Sequence, residues 1–453
     1  MKYFSKKRNT GIGKEKRYNS FTSKHEGIFM NTKNLQNWLE DVLTKHSSVR
    51  RENLEHLKSL VKKLALNLLP CPIITVAGTN GKGSCVKLLA NAYREAGYQV
   101  GDYTSPHLLK FNERICINGK PVSDREIISA FEVIEKERAK SKTALTFFEF
   151  ITLAALYLFK QYDLDILILE AGLGGRLDPV NLMDADLVLL TTIGLDHLDC
   201  LGPDCESIAK EKSALFRKNR LAVCGEINPP NIILETASQV GADIYFIHRD
   251  FEYAFSDKAW HWQREKGEVI EYHQLPMPKV KLQNAAMVLM VLDLLQKRLP
   301  VSKEAIVRAL KKTKLPGRFE KIDHCIFDVA HNAQAAQWLV EQLERTKREG
   351  KLLCVFSILK EKDIQGIVKL LKPFVHEWYV ASLESERALP AKKIAETLDK
   401  LDVKKVFIFD TVESSFLAAK KHCSRKDLIL IFGSFYLVSQ IKCRDKSKFV
   451  QKT

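Results

Sequence analysis

The chain has 453 residues, 45% of them apolar, and a formal net charge of +16 at pH 7; this length and apolar content suffice for two or three domains with cores of their own. No apolar run approaches the roughly 18 residues of a membrane span, and the basic first residues precede no apolar signal core, so we expect a cytosolic protein without a membrane partner. The ten cysteines are scattered from Cys71 to Cys443, and the closest pair, Cys200 and Cys205, lacks C-x-x-C spacing, which predicts reduced, mostly buried thiols.

Residues 1–29 carry eight Lys or Arg against Glu15 and Glu26, with little apolar periodicity. That composition predicts a disordered basic extension, with a nucleic-acid arm as its functional alternative. Met30, a second candidate start, opens an amphipathic helix marked by Leu35, Trp38, Leu39, Val42 and Leu43. From Ile73 the chain alternates short apolar runs with helical stretches: Ile73 to Val76, a helix from Ser84 to Ala96, then Leu164 to Leu169, Leu187 to Thr192 and Leu221 to Cys224. Strands spaced by helices predict an α/β fold with a doubly wound, mostly parallel sheet. The aromatic segment from Phe251 to His273 reads as an antiparallel excursion at the edge of that sheet. A helix from Gln283 to Gln296 ends at Lys297-Arg298-Leu299-Pro300, which sets an expected domain boundary and two domains over 30–297 and 298–453. Strands near Cys325 to Val329, Leu352 to Phe356, Trp378 to Val380, Val406 to Phe409 and Leu428 to Phe432 make the second a smaller Rossmann-like α/β domain.

The richest chemical signal is Ile73-Ile74-Thr75-Val76-Ala77-Gly78-Thr79-Asn80-Gly81-Lys82-Gly83-Ser84: an apolar strand, a glycine-rich turn and a helix start. Glycines let backbone N–H groups converge on one phosphate, and the helix N-terminus adds partial positive charge. Lys82 is expected to reach the β- and γ-phosphates, and the Ser84 hydroxyl to ligate Mg²⁺. Gly83, between the lysine and the hydroxyl, departs from G-x-x-x-x-G-K-[ST]. An ordinary glycine-rich turn is the alternative.

Gly78 to Ser84 resembles the phosphate loop of the folate-ligase branch of the Mur-ligase-like superfamily. Four further segments resemble that branch in order: Leu145 to Phe150, Glu170 to Asp178, Gly194 to Gly202, and Ile208 to Lys212. With Leu315 to Glu320, Phe327 to Asn332 and Gln283 to Ala286, the resemblance covers about residues 31 to 438. It implies an ATP-dependent carbon–nitrogen ligase that joins L-glutamate to 7,8-dihydropteroate and to folate polyglutamates through an acyl phosphate. It also implies two Mg²⁺ ions, small-molecule substrates, no nucleic-acid partner and a monomer.

Residue by residue, the resemblance implies that ATP meets Gly78, Thr79, Asn80, Gly81, Lys82, Gly83, Ser84, Asn284, Arg318 and Asp328. Metal ligands are expected at Ser84, Glu149, His197 and a carbamylated Lys212; Lys82, Lys212, Asp328 and His331 are the catalytic candidates. Ser105, Pro106, His107, Arg114, Phe147 and Ser434 are expected around the folate and glutamate. Taken singly, Glu149 also reads as a buried paired acid, His197 as a structural histidine, Lys212 as a helical surface lysine, Arg318 as half of a surface ion pair, and Phe147 as core. A peptidoglycan-precursor Mur ligase, a GTPase and a basic nucleic-acid-binding protein are the competing functions.

Overall fold

The computed structural model of the protein describes residues 33–45, 52–256 and 258–444. The basic extension expected over residues 1–29, and Met30, lie outside the described residues. The predicted first helix spans Leu35–Lys45 and buries Leu35 and Val42.

Apolar runs without alternation become parallel strands covered on both faces. In the large unit they are β1 (Ile73–Ala77), β2 (Val100–Tyr103), β3 (Ile115–Ile117), β4 (Lys120–Pro121), β5 (Ile166–Glu170), β6 (Leu187–Leu190), β7 (Leu221–Cys224) and β8 (Asp243–Phe246). Their order is β4-β3-β2-β5-β1-β6-β7-β8, parallel except for β3 and β4 at one edge. Val76 lies opposite Glu170, and Ala77 opposite Leu190. The carboxyl ends of β5, β1 and β6 therefore finish side by side, where open α/β sheets bind ligands.

The aromatic segment, expected as an antiparallel excursion at that sheet's edge, is antiparallel but pairs in a separate sheet. It forms an antiparallel sheet of its own from β9 (Phe251–Phe255), β10 (Ala259–Arg264) and β11 (Ile270–Pro276). Trp260 and Trp262 are buried in its inner face, and Trp260 Nε1 donates to Pro276 O at 3.0 Å. The helix Leu282–Leu294 lies between this small sheet and the large one, which explains why it is apolar on all sides.

The second unit holds β12 (Glu320–Ile322), β13 (Cys325–Asp328), β14 (Leu352–Phe356), β15 (Glu377–Ala381), β16 (Val406–Phe409) and β17 (Leu428–Phe432), in the order β12-β13-β17-β14-β15-β16. All neighbours are parallel except β12 and β13. All ten cysteines are free, six of them buried.

The boundary expected after Lys297 falls one helix too early. The helix Lys303–Lys312, capped by Ser302, packs Ala305, Ile306, Ala309 and Leu310 into the same core as the helix Lys82–Glu95. Arg308 and Lys312 pair with Glu95 on that helix. The chain leaves the large unit only at Thr313–Gly317. Ile306→Ala is therefore expected to destabilise the large unit by about 2–5 kcal/mol, and hydrogen exchange should show reduced protection in the helix Lys82–Glu95. Reduced protection confined to β13–β17 would return the helix to the small unit.

Candidate active site

After β1 the chain turns through Gly78 to Gly81 into the helix Lys82–Glu95. Gly78 has φ +140°, and a Cβ there would lie 1.9 Å from Thr191 Oγ1; Gly81 has φ +92°, with Asn284 Oδ1 2.7 Å from the corresponding point. Neither position accepts a side chain. The loop is laced to the end of β6: Thr79 N donates to Thr192 O at 2.7 Å, Thr191 Oγ1 to Asn80 O at 2.7 Å, and Gly194 N to Thr79 Oγ1 at 3.0 Å.

Two lysines converge on this turn. Lys82 Nζ donates to Gly78 O at 3.0 Å and to Thr79 O at 3.1 Å, and Lys212 Nζ donates to Gly78 O at 3.0 Å. Burial lowers the pKa of both; that of Lys212, pushed further by the charge of Lys82, falls to about 7. Lys212 thus holds a sizeable neutral amine fraction at physiological pH.

Glu170, the last residue of β5, is buried beneath the same loop: a Cβ on Gly83 would lie 3.4 Å from its Oε2, which also accepts from Ser105 N at 3.2 Å. Burial raises its pKa, and the neighbouring Lys82 opposes the rise. Asp178 accepts from the backbone of Gly172 (2.7 Å), Leu173 (3.0 Å) and Val180 (3.0 Å), shaping the glycine loop after β5. Burial pushes Asp178 up to about 6 despite those bonds.

The small unit faces this surface with the ends of β13 and the loop before β12. Asp328 accepts from Phe319 N at 2.7 Å and Ala330 N at 2.8 Å and is buried beside Arg318, whose charge opposes the rise in pKa that burial causes. His331 Nδ1 lies 2.8 Å from the carbonyl of Val329. A carbonyl only accepts, so Nδ1 carries a proton and Nε2 is the atom turned to the cleft. Asp196 Oδ2 is 3.6 Å from that Nε2, and Asp196 Oδ1 accepts from Lys362 Nζ at 2.5 Å. Burial would raise the Asp196 pKa, but His331 and Lys362 hold it well below the usual carboxylate range.

One cavity is consequently lined by Lys82, Glu170, His197, Lys212, Arg318 and His331. On its nucleotide-loop side a second joins Ser84, Asn284, Asp328, Gln334 and Trp338. On the far side of His331 a third, of ≈ 300 Å³, holds Pro106, His107, Arg114, Lys362, Arg387 and Ser434. Arg114 Nε donates to His107 Nδ1 at 2.9 Å; burial, then the Arg114 charge, lowers the His107 pKa to about 4.

Two expected residues are not brought to these cavities. Glu149 caps its own helix: its carboxylate accepts from Thr146 N at 2.6 Å and pairs with His56 Nε2 at 3.0 Å. It meets the buried-acid alternative, with a histidine instead of an arginine as partner, and Glu170 is the carboxylate at the phosphate loop. Phe147 packs against the core of the large unit, and its neighbour Phe148 lies against Gly172, where a Cβ would come within 2.4 Å of the ring. Asp196, Gln334, Lys362 and Arg387 were not singled out from the sequence. Glu170 and Asp196 had a signal, as acids closing or following an apolar strand; Lys362, in a polar loop, had none.

Among the described residues no group of three or more His, Cys, Asp or Glu side chains is arranged to hold a metal ion by itself, and no helix is long and apolar enough to cross a membrane.

Against known families, the Mur ligase middle domain matches residues 76–289, and the Mur ligase glutamate ligase domain matches residues 317–435. A dihydrofolate synthase/folylpolyglutamate synthase of Buchnera aphidicola is 40% identical over 413 residues, which cover 89% of this chain and 95% of that one. E. coli FolC, solved in complex with DHPP and ADP, superimposes with a TM-score of 0.86 at 36% identity, covering 92% of this chain and 98% of that one. A bifunctional folylpolyglutamate synthase/dihydrofolate synthase from Yersinia pestis, complexed with AMPPNP and Mn ion, gives 0.85 at 39% identity over 92% and 98% of the two chains. Similarity of this extent, through both domains and along nearly the whole chain, means that the protein belongs to the dihydrofolate synthase/folylpolyglutamate synthase family of Mur ligases.

Proposed function

We propose that this protein is an ATP-dependent amide ligase that adds L-glutamate both to 7,8-dihydropteroate and to reduced folate polyglutamates. One observation carries the reading: a phosphate loop with a half-buried lysine faces Arg318 and His331 from a second domain, and this cleft opens into a cavity lined by Arg114, Lys362 and Arg387. The first half suits ATP and the second a dicarboxylic amino acid or the tail of a folate. The likeness to a chain solved with DHPP and ADP supports both halves. We further propose that it works as a cytosolic monomer on small molecules.

The folate-side carboxylate oxygen attacks the γ-phosphorus of ATP, ADP leaves, and an acyl phosphate forms. The amine of glutamate then adds to the acyl carbon, loses a proton, and inorganic phosphate departs with the bridging oxygen. Side chains form no covalent bond in this sequence, so catalysis rests on positioning and electrostatics. Lys82 and Arg318 stabilise charge on the transferring phosphoryl group. Arg114 and Lys362 orient carboxylates, and Ser434 hydrogen-bonds the incoming glutamate. His331 Nε2 takes the proton of the attacking amine.

The donor set fits Mg²⁺, which favours one or two carboxylates completed by phosphate oxygens and water. Ser84 and Glu170 would hold one ion, and His197 with the carbamate of Lys212 a second; bound there, they neutralise phosphate charge. The carbamate forms when the neutral Lys212 amine adds to carbon dioxide and releases a proton.

Three outcomes are expected. Lys82→Ala should keep the melting temperature of the parent yet lower kcat/KM by on the order of 10² or more; unchanged turnover in a folded variant would remove the loop from the mechanism. Lys212→Ala should lose activity that short-chain carboxylates partly restore, and intact-protein NMR with ¹³C-labelled bicarbonate should give a carbamate signal absent from the variant. No such signal in the active parent would refute the modification. Glutamate-dependent ADP formation is expected with dihydropteroate and, separately, with a reduced folate monoglutamate. Turnover of the folate alone would reduce the activity to that of a folylpolyglutamate synthase.

A further inference from the structure

The two domains meet at the nucleotide cleft through neutral amide side chains as well as ions, and one of these amides has no part in the mechanism above. Gln334 is the second residue of the helix Ala333–Arg345, whose first turn is capped by Asn332 through Ala335 N at 2.9 Å. Its side chain reaches out of the small domain. Oε1 accepts from Asn80 Nδ2 at 2.7 Å and from Thr192 Oγ1 at 3.0 Å, and Nε2 donates to Ile193 O at 3.4 Å. Gly194 leaves the room for it, since a Cβ there would lie 3.1 Å from Oε1.

Asn80 belongs to the phosphate loop, and Thr192 to the segment after β6 that laces the loop in place. One carboxamide from the small domain therefore joins both large-domain segments that carry the phosphate site. Domain interfaces within one chain are ordinarily mobile, and in this structure these bonds are made with Arg318 and His331 standing across the loop.

We propose that Gln334 is a positioning residue that clasps the small domain onto the phosphate loop and so sets the fraction of enzyme in the reactive arrangement. The proposal rests on the ATP-dependent ligase reading. Gln334 also borders the cavity that holds Ser84 and Asn284, so closure is read at saturating nucleotide, apart from any change in ATP affinity. Losing two or three neutral hydrogen bonds shifts such an equilibrium by ~10- to 100-fold.

The test uses the full chain with Gln334→Ala. The expected result at saturating ATP is a kcat at least ~10-fold lower than the parent's, with the parent's melting temperature. With saturating non-hydrolysable ATP analogue, small-angle scattering should give a larger radius of gyration than for the parent. Thr192→Val, which removes one donor to the same oxygen, should move kcat and scattering in the same direction by less. It also decides the matter should Gln334→Ala fold poorly. Parent-like kcat and scattering in both variants, or a fall in kcat matched by a fall in melting temperature, would overturn the proposal. Absence of glutamate-dependent turnover in the parent would instead remove the ligase reading, and the scattering comparison would still judge the clasp.

Discussion

The carbonyl oxygen of Gly78 accepts from two lysine side chains at 3.0 Å, and the rest of the cleft is arranged around the turn that makes this possible. A residue with a Cβ at position 78 would collide with Thr191, so the approach depends on glycine. Holding two amines against one carbonyl in a buried site disfavours their charged forms, which lowers both pKa values, and Glu170 and Asp178 close by oppose that fall for Lys82. A ligand carrying several negative charges relieves the same strain more completely. Apo stability is thus traded for a site preorganised for a polyphosphate and its cations.

The second dependence is on the domain interface. Neither unit holds a complete site: the large one brings the phosphate loop, Glu170, His197 and Lys212, and the small one brings Arg318, Asp328, His331 and Lys362. The Lys362–Asp196 pair, with Lys362 nearly buried, and the amides of Asn80, Asn332 and Gln334 cross between them. An acyl phosphate hydrolyses in water, so a site assembled by two domains also supplies the means of excluding it.

How much of this was legible in the sequence varied with the kind of signal. The α/β class, the strands from Leu221 to Cys224 and from Leu428 to Phe432, and the glycine loop were readable because continuous apolar runs and glycines have few structural alternatives. The helix Lys303–Lys312 was lost to the wrong domain because Pro300 breaks the pattern, while the apolar face that binds the helix to its predecessor is visible only in three dimensions. The places of Glu149 and Glu170 were misjudged for a similar reason: the first lies away from the phosphate loop and the second beneath it. Thr146-x-x-Glu149 is a capping-box signature that accounts for the acid locally, whereas Glu170 is a charge ending a buried strand with no local partner. Lys362 and Gln334 could not be read, since their partners lie more than 140 residues away in sequence on the facing domain.

If the cleft activates a carboxylate as an acyl phosphate before the amine attacks, one carboxylate oxygen passes to the released phosphate. Dihydropteroate labelled with ¹⁸O in its carboxylate, incubated with ATP, glutamate and the protein, tests it directly by mass spectrometry of the released phosphate. One ¹⁸O atom is expected in each phosphate formed. Phosphate that carries no label, or takes its new oxygen from ¹⁸O-water instead, would contradict it.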